Sequence, residues 1–516
     1  MILPDDTPPE SPTKSDSRAG PPSEAPEDEH ALPPPAYPGP PQNGQLSSYQ
    51  SHNVDIEAQA SSSRTPLLQS TSTPAHYVEQ VESAPTRFLK AFGVALLIYI
   101  LVGSFTRTAI AGHYWRGRDT HRWNDVEEPD IDDGRGDAPG SQIPLPQPSD
   151  GKVEKCVTAA GATTLSSESV YMTSLLLPLN AKTLYIFGRG ELAHGDITFT
   201  PSYDRTIPED SIRVNIIPRY HSEIALMATN ICLLERAKGE KGIAILTPSS
   251  WIPSNDLSFS IEVRVPVTRG PLRVNAFETH LPLFRHTFSA QLHGQVSFGS
   301  LYVRSTNQQI HAGYLEADNT TIQTTNSLIS GVYRASHTLF LQTSNQPIKA
   351  DITILNDDDT RNPTNLTMIT ANSAIDAAIT LLRSTSSRAV SKGGAFAVSA
   401  QTQNGAVDLR FHTQPVDSRL DVTAQTSNAP AQVHLHPAYE GAFTIGTSHG
   451  PTDLTVYEKI SDPSGRGRKR FWAVTERTAA AFNGRVWWSH RSGSDGDEGR
   501  GSVSVHTSNA AVQVTT

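Results

Sequence analysis

Residues 305–348 read STNQQIHAGYLEADNTTIQTTNSLISGVYRASHTLFLQTSNQPI, and one short motif occurs three times within them. The motif is a Ser or Thr, any residue, an Asn and, three residues later, an Ile. Its asparagines Asn307, Asn326 and Asn345 are spaced 19 residues apart. Between the motifs, β-branched and aromatic residues alternate with polar ones, which is typical of strands with one buried face. The stretch therefore predicts short strands joined by turns of one recurring type.

Looser copies of the motif continue to the end of the chain, at Asn372, Asn404, Asn428 and Asn509. A repeat near 20 residues with one turn per repeat predicts a β-solenoid, whose coils bury their apolar faces by stacking. A large β-sandwich with similar hairpins is the alternative. We expect each Asn to adopt a left-handed backbone conformation and its amide to hydrogen-bond to the next coil.

The β pattern begins near Cys156, well before the repeats. Four clear alternating runs precede them, at 183–187, 197–200, 211–217 and 259–266. Helical periodicity is nearly absent. The fold class predicted is mainly β, with a β-rich lead subdomain at 156–287 and β-solenoid-like, adhesin-type repeats at 288–516.

Residues 1–86 form a Pro- and Ser-rich acidic tail. Within residues 1–85 there are 12 Asp and Glu against three Lys and Arg, which accounts for most of the net charge of −10. So polar a segment has little to bury and is predicted to be disordered. The rest of the chain is nearly neutral, so no concentrated basic face for nucleic-acid binding is expected.

A transmembrane helix is predicted at 87–112. The apolar run at 91–105, continued to residue 111, spans about 31 Å as a helix, close to the ~30 Å of a hydrocarbon core. A buried helix of a soluble domain is the alternative, but the segments on both sides offer nothing to cover it. Residues 113–155 are charged and rich in Pro and Gly, which predicts a flexible stalk.

The tail contains Pro34-Pro35-Ala36-Tyr37. This pattern resembles the ligand of WW domains, in which Pro34 and Pro35 favour the extended helix that such domains bind and Tyr37 fills the next pocket. The resemblance implies recruitment of a WW-domain ubiquitin ligase. A chance tetrapeptide in a Pro-rich tail is the alternative.

Two features favour a lumenal or extracellular C-terminal domain. Asn319 and Asn365 begin acceptor triplets for N-glycosylation, and Cys156 and Cys232 are candidates for one disulfide. Two unrelated buried thiols are the alternative for the cysteines. The Lys and Arg count around the apolar segment favours the opposite orientation. We predict a type II signal-anchor protein of the plasma membrane or an endomembrane.

The sequence predicts no catalytic site, no cofactor and no metal centre, so we expect a protein that is not an enzyme. Several features have a functional interpretation beside a structural one: His434 and His436 as metal ligands, residues 357–359 as an acidic cation or lyase site, the Trp and Phe pairs at 471–472 and 487–488 as a sugar platform, and the basic loop at 466–470 as a protease site. Solvated loops and core packing are the alternatives.

The run LPLNAKTLYIFGRGE at 177–191, followed by the Thr-Ser-Asn repeats, supports one family resemblance. The chain resembles uncharacterised fungal single-pass membrane proteins with an adhesin-like β-solenoid domain of unknown function. The resemblance covers about residues 155–516. It implies a fold and a topology but no activity.

These patterns favour a membrane-anchored protein that presents an extracytoplasmic β domain for adhesion or binding, with a glycan or a protein as ligand. One alternative is a membrane adaptor that acts through Tyr37 and its flanking prolines. Another is a polysaccharide-acting enzyme built on a β-helix.

Glycosidase digestion of the full chain tests the predicted orientation. We expect digestion to increase the electrophoretic mobility, and Asn319→Gln with Asn365→Gln to abolish the change, because only a lumenal domain meets the glycosylation machinery. A mobility that digestion leaves unaltered in the unsubstituted protein would contradict this topology.

Overall fold

The structure is a computed structural model that describes residues 144–516, except 162, 166–169, 222, 249–256, 357–361, 385–392, 458, 479 and 490–500. The described part is mainly β. It has one short helix, α1 (Glu223–Met227), and three 3-10 turns at Pro148–Asp150, Ala159–Gly161 and Ala290–Leu292.

Within this part of the chain, no helix combines the length and the apolar content needed to span a bilayer. The tail at 1–86, the segment at 87–112 and the stalk up to residue 143 lie outside the described residues.

The strands, in chain order, are β1 (Lys152–Thr158), β2 (Thr163–Leu165), β3 (Val170–Pro178), β4 (Thr183–Arg189), β5 (His194–Ser202), β6 (Ser211–Tyr220), β7 (Asn230–Glu235), β8 (Glu240–Leu246), β9 (Leu257–Pro266), β10 (Leu272–His280), β11 (Leu283–Phe288), β12 (Val296–Arg304), β13 (Ile310–Gln323), β14 (Ile329–Gln342), β15 (Ile348–Asn356), β16 (Thr364–Ile369), β17 (Ile375–Arg383), β18 (Ala395–Gln401), β19 (Val407–Thr413), β20 (Arg419–Gln425), β21 (Ala431–His434), β22 (Gly441–Thr447), β23 (Thr452–Thr455), β24 (Lys469–Arg477), β25 (Ala481–Ser489), β26 (Gly501–Thr507) and β27 (Val512–Thr515). The four strand runs predicted from the sequence lie within β4, β5, β6 and β9, so those predictions are confirmed.

Hydrogen bonding arranges the strands in two ladders, which are mostly parallel. The first ladder runs, in spatial order, β1-β7-β8-β4-β10-β12-β13-β14-β16-β18-β20-β26-β22-β25-β24. The second runs β2-β3-β6-β9-β5-β11-β13-β14-β15-β17-β19-β21-β27-β23. The long strands β13 and β14 contribute their first halves to the second ladder and their second halves to the first.

From β12 onward, a strand of the first ladder is repeatedly followed by a strand of the second, and we call such a pair with its connecting turn a rung. The Ile or Val that ends each sequence motif occupies the same register position in successive rungs. Ile310, Ile329, Ile348 and Ile375 therefore form one row, and each is at most 1% exposed. Burying one such side chain contributes roughly 1.5–3 kcal/mol, so the rows of the core supply much of the stability that stacking provides.

Each turn that carries the motif is hydrogen-bonded to the same turn of the neighbouring rung. The hydroxyl of the first residue points inward and donates to a turn carbonyl, as Thr343 Oγ1 does to Ser327 O at 3.0 Å. The asparagine side chains lie outside and form a ladder of their own, each Nδ2 donating to the next Oδ1. This ladder joins Asn509, Asn428, Asn404, Asn372, Asn345, Asn326 and Asn307 at 2.6–2.8 Å.

The predicted amide bonding between asparagines is confirmed, but the predicted backbone conformation is wrong. Among the described residues other than glycine, only Asp417 has a positive φ. The turn does not need the left-handed region. Asn is used because its amide carries one donor group and one acceptor, so a single residue type can repeat along the stack.

At both ends of the stack, chain order and spatial order differ. In the first ladder β4 lies between β8 and β10, and in the second ladder β5 lies between β9 and β11. At the other end, β26 and β27 lie between β20 and β21 on one side and β22 and β23 on the other. The last strands of the chain therefore complete an interior rung.

The core row that contains Ile310 also contains one buried titratable side chain. His286 of β11 pairs in register with Ile310 and is fully buried. Its Nδ1 lies 3.0 Å from the Phe284 carbonyl, so Nδ1 carries the proton, and Nε2 accepts from Thr279 Oγ1 at 3.0 Å. Burial lowers the pKa of His286 to about 4, although its bond to Phe284 raises it.

The asparagine ladder can be tested at its middle and at its end. Asn372→Ala removes two side-chain bonds and should lower the free energy of unfolding by about 1–2 kcal/mol. Asn307→Ala removes the one bond from Asn326 and should cost about half as much. Urea unfolding measures both, and equal costs for the two variants would argue against a ladder that stabilises through these bonds.

His286 predicts acid sensitivity of the fold. Its folded pKa lies below its unfolded value of about 6.5, so its contribution is present above pH 6.5 and is lost as the pH falls toward 4. Between pH 7 and 4.5 the loss should be about 2 kcal/mol. Urea unfolding at both pH values should show a smaller loss in His286→Leu. The exposed His412→Leu is the control, and a pH dependence that His286→Leu leaves intact would refute the assignment.

Candidate functional site

A groove of about 400 Å³ lies on the outer face of the second ladder. It crosses five neighbouring strands, β13, β14, β15, β17 and β19. At the spacing of paired strands this gives it a length of roughly 19 Å. Its lining residues are His311, Ala312, Gly313, Gly331, Val332, Lys349, Ala350, Asp351, Asp376, Ala378 and Arg410.

The groove is open because small residues form its floor. Their positions need small residues because other backbone segments come very close there. Gly331 has a φ of +126°, and a Cβ at this position would lie 1.9 Å from the Ala312 carbonyl oxygen. A Cβ at Gly313 would lie 2.6 Å from the Ala290 nitrogen. Neither position has space for a larger residue, so the floor of the groove stays low beside the longer side chains around it.

One row of polar side chains follows the groove along the stack. His311, Ser330, Lys349, Asp376 and Asp408 are register partners on successive strands. Each comes directly after the buried Ile or Val that ends a sequence motif, and therefore points to the opposite side of the strand. The motif thus determines the positions of three lining residues, His311, Lys349 and Asp376.

The charges of the groove are balanced and partly fixed. Arg410 forms an ion pair with Asp376 and a second with Asp408, whose Oδ2 lies 2.5 Å from Nη1. Lys349 and Asp351 are exposed on β15. The lining therefore carries two cations and two carboxylates.

A second polar cluster lies on β13 and β14. The Tyr314 hydroxyl donates to Glu316 Oε2 at 2.9 Å, and Arg334 Nε lies 3.3 Å from Glu316 Oε1. Burial, reinforced by Glu316, raises the pKa of Tyr314 above its ordinary value. The ring of Tyr314 meets that of His293 edge to face at 4.3 Å, which gives this part of the surface an aromatic side chain held in one position.

Both predicted glycosylation residues lie on the first ladder, whereas the groove lies on the second. Asn319 and Asn365 share one row, with Thr338 on the strand between them. Asn319 is exposed and Asn365 is half-buried. Two strand spacings separate the residues, about 10 Å.

The two cysteines are direct partners across β1 and β7, and a disulfide bond joins them. Cys232 is fully buried, in a small apolar cluster with Tyr185 and Leu234 that is separate from the main core. The bond therefore holds the first strand of the described part against the end of the stack.

The histidines considered as metal ligands do not share a strand. β21 ends at His434, and His436 lies beyond it, where its Nδ1 accepts a hydrogen bond from the Ala438 nitrogen at 3.1 Å. Across the described residues, no three His, Cys, Asp or Glu side chains are grouped so that they could hold a metal ion. Residues 357–359 and Pro34, Pro35 and Tyr37 lie outside the described part.

The aromatic residues near the C-terminal end divide into two groups. Phe471 and Trp487 stack at 6.0 Å and are partly exposed. Trp488 is buried and donates from Nε1 to the Pro437 carbonyl at 2.9 Å. They do not form one sugar-binding platform.

The interpretation of 466–470 as an open basic loop is wrong for Arg468 and Arg470. Arg468 forms ion pairs with Asp462 and Glu440 at 3.1 and 3.0 Å, and its side chain is 8% exposed. Arg470 is buried in β24, and burial lowers its pKa to about 10 despite nearby Glu440. A processing protease needs a free extended segment, whereas Lys469 and Arg470 are paired with β25.

Comparison with known proteins identifies one domain of unknown function and no activity. Residues 319–515 match DUF7330, a domain of unknown function. No match was found among curated proteins. The crystal structure of a "putative cell adhesion protein" from Clostridium sporogenes aligns with 67% of this chain and 99% of that chain, at 9% identity and a TM-score of 0.14. A TM-score this low supports no conclusion about this chain.

Sequence reasoning missed the groove entirely. Its residues are five polar side chains and six small or apolar residues, distributed over a hundred positions from His311 to Arg410. The usable signal was the position directly after each motif, since a shared register turns those residues into one row.

Proposed function

We propose that the described part of the chain is a β-solenoid whose coils are the rungs defined above. Parallel pairing between equivalent strands, apolar rows in the interior and hydrogen-bonded Asn and Thr in the turns all support this architecture. The antiparallel strands at its ends act as caps, which stacked repeats need in order to cover their terminal apolar faces.

We further propose that this solenoid is the extracytoplasmic binding domain of a single-pass membrane protein of the plasma membrane or an endomembrane. The apolar segment at 87–112 supports the anchor. The disulfide between Cys156 and Cys232 suits an oxidising compartment. With Asn319 and Asn365 on the first ladder, glycans there would leave the groove of the second ladder open.

The observation that carries the binding function is the groove itself. It is shallow, runs along the stacking axis and presents side chains at the regular spacing of the strands. Such a shape suits a long, extended ligand whose groups repeat, rather than a compact small molecule. A glycan chain has this form.

The charges favour a hydroxyl-rich ligand without net charge. The two cations and two carboxylates of the lining cancel, so an acidic or a basic polymer gains little from it. Carboxylates fixed by Arg410 are good acceptors for pairs of hydroxyl groups, and Lys349 is a donor. We therefore propose a neutral glycan as the ligand.

Binding without turnover is the activity we favour over a polysaccharide-acting enzyme. Glycoside hydrolysis commonly needs two carboxylates on opposite sides of the bond that breaks. Two of the three carboxylates in and beside the groove, those of Asp376 and Asp408, are ion-paired with Arg410. They are arranged to bind hydroxyl groups rather than to exchange protons.

Recruitment of a WW-domain ubiquitin ligase by Pro34, Pro35 and Tyr37 stays a prediction from the sequence. In the proposed topology the tail lies on the opposite side of the membrane from the β domain, so this recruitment is compatible with a ligand in the groove. It would control the amount of the protein at the surface rather than what the domain binds.

A panel of neutral and charged glycans tests the groove with the full chain in detergent. Replacing Lys349 and Asp351 together by Ala should weaken binding of a neutral glycan about tenfold or more, since two hydrogen-bonding side chains are lost. Thr423→Ala, an exposed position on the first ladder, is the matched control and should bind as the unsubstituted protein does.

Analysis of the bound glycan after incubation separates binding from catalysis. We expect the chain length of the glycan to stay constant. Shortened products would show that the protein cleaves the glycan, and an enzymatic function would then replace the proposed binding function. Absence of binding to every glycan, or an equal loss in Thr423→Ala, would refute the groove as the site.

A further inference from the structure

The turn at 402–405 places the ladder asparagine Asn404 directly before a glycine whose position admits no side chain. A Cβ at Gly405 would lie 1.8 Å from the Ser373 carbonyl oxygen, because the turn of the neighbouring rung passes beside it. The other six asparagines of the ladder are followed by Gln, Ser or Ala. The close approach of two turns therefore imposes the dipeptide Asn-Gly at this one position of the ladder.

An asparagine followed by a glycine is the arrangement in which deamidation is fastest. The backbone nitrogen of the glycine attacks the side-chain Cγ of the asparagine and closes a succinimide ring. The side-chain nitrogen leaves as ammonia and carries away the proton of the glycine N–H. Water then opens the ring to aspartate or isoaspartate, so water is the only co-reactant. Glycine permits the attack because it has no Cβ to obstruct it.

In the folded chain both reacting groups are held in place. Asn404 Nδ2 donates to Asn372 Oδ1 at 2.8 Å, and Asn404 Oδ1 accepts from Asn428 Nδ2 at 2.7 Å. The Gly405 N–H donates to Thr402 Oγ1 at 3.2 Å. These bonds keep the carboxamide outside the turn and direct the N–H elsewhere, so the nitrogen does not meet Cγ. The reaction therefore needs the turn to open, which is a local event that does not require the whole domain to unfold.

Deamidation would interrupt the ladder at this position. Aspartate has no amide hydrogen atoms, so it can accept from Asn428 but cannot donate to Asn372 Oδ1. Its carboxylate would then face a carbonyl oxygen across a distance that now holds a hydrogen bond. Asn372 is not free to turn its amide round, because its Nδ2 donates to Asn345 Oδ1 at 2.7 Å. Isoaspartate would in addition lengthen the main chain inside the turn by one methylene group.

We propose that Asn404 is a site of spontaneous deamidation whose rate is set by the opening of its own turn, and that the product weakens the stack. The modification would accumulate in molecules whose rungs have loosened and would make their return to the closed stack less favourable. The proposal depends only on the turn and the ladder. It holds whatever ligand the groove binds and on whichever side of a membrane the domain lies.

Incubation of the full chain in detergent at neutral pH, followed by peptide mass spectrometry, measures deamidation of Asn404. We expect the folded protein to react at least about tenfold more slowly than the same chain in urea, because both side-chain bonds must first be lost. Asn372→Ala removes the acceptor of Asn404 Nδ2 and should speed the reaction of the folded protein about fivefold, the equivalent of one hydrogen bond. Asn307→Ala, at the far end of the ladder, is the matched control and should leave the rate unchanged.

Asn483 in the same samples separates opening of the turn from unfolding of the whole domain. It precedes Gly484 within β25, which is paired with a strand on each side. We expect Asn372→Ala to speed the reaction at Asn404 and not at Asn483. An equal increase at both residues, no increase at Asn404, or equal rates at Asn404 in the folded and unfolded protein would overturn the proposal.

A substitution that supplies the product from the start tests its effect on the fold. Asn404→Asp should unfold at a lower urea concentration than the unsubstituted protein. Asn43→Asp makes the same change of charge at the Asn43-Gly44 pair of the N-terminal tail and should unfold as the unsubstituted protein does. An unaltered unfolding midpoint in Asn404→Asp would contradict the proposed weakening of the stack.

Discussion

The hydrogen bonds between equivalent turns hold the register of the stack from the turn of Asn307 to the turn of Asn509. In each turn the inner hydroxyl of a Ser or Thr bonds to a turn carbonyl of the neighbouring rung, and the outer Asn bonds to the corresponding Asn. Both bonds form only when the two turns are aligned. A slip by one residue would break them and would also move every core side chain to the surface.

The surface follows from that register. With the Ile and Val of successive motifs aligned in the core, the residues that follow them are aligned outside, and His311, Lys349 and Asp376 become neighbours although they are far apart in the chain. The glycines at 313 and 331 then lower the floor beside them because neighbouring backbones come close there. A groove on such a fold needs no loop of its own.

The ends of the stack depend on different interactions from its middle. Repeated rungs alone would leave the terminal strands of both ladders without partners. The chain adds antiparallel strands at these ends. Near both ends it also inserts strands out of chain order. β26 and β27 complete an interior rung, and Asn509 joins the asparagine ladder next to Asn428, 81 residues before it.

The sequence by itself determined the local properties: the mainly β class, the strand runs, the position of each motif turn and the amide bonding of its Asn. These depend on residues a few positions apart, where side-chain alternation and turn chemistry are legible. Only the tertiary structure decided which rung stands next to which, that Trp487 and Trp488 point to different environments, that Arg470 is buried, and that polar residues from four strands meet in one groove. The physical reason is that parallel pairing joins segments far apart in the chain, and outward-facing polar positions carry no hydrophobic signal that would reveal their neighbours.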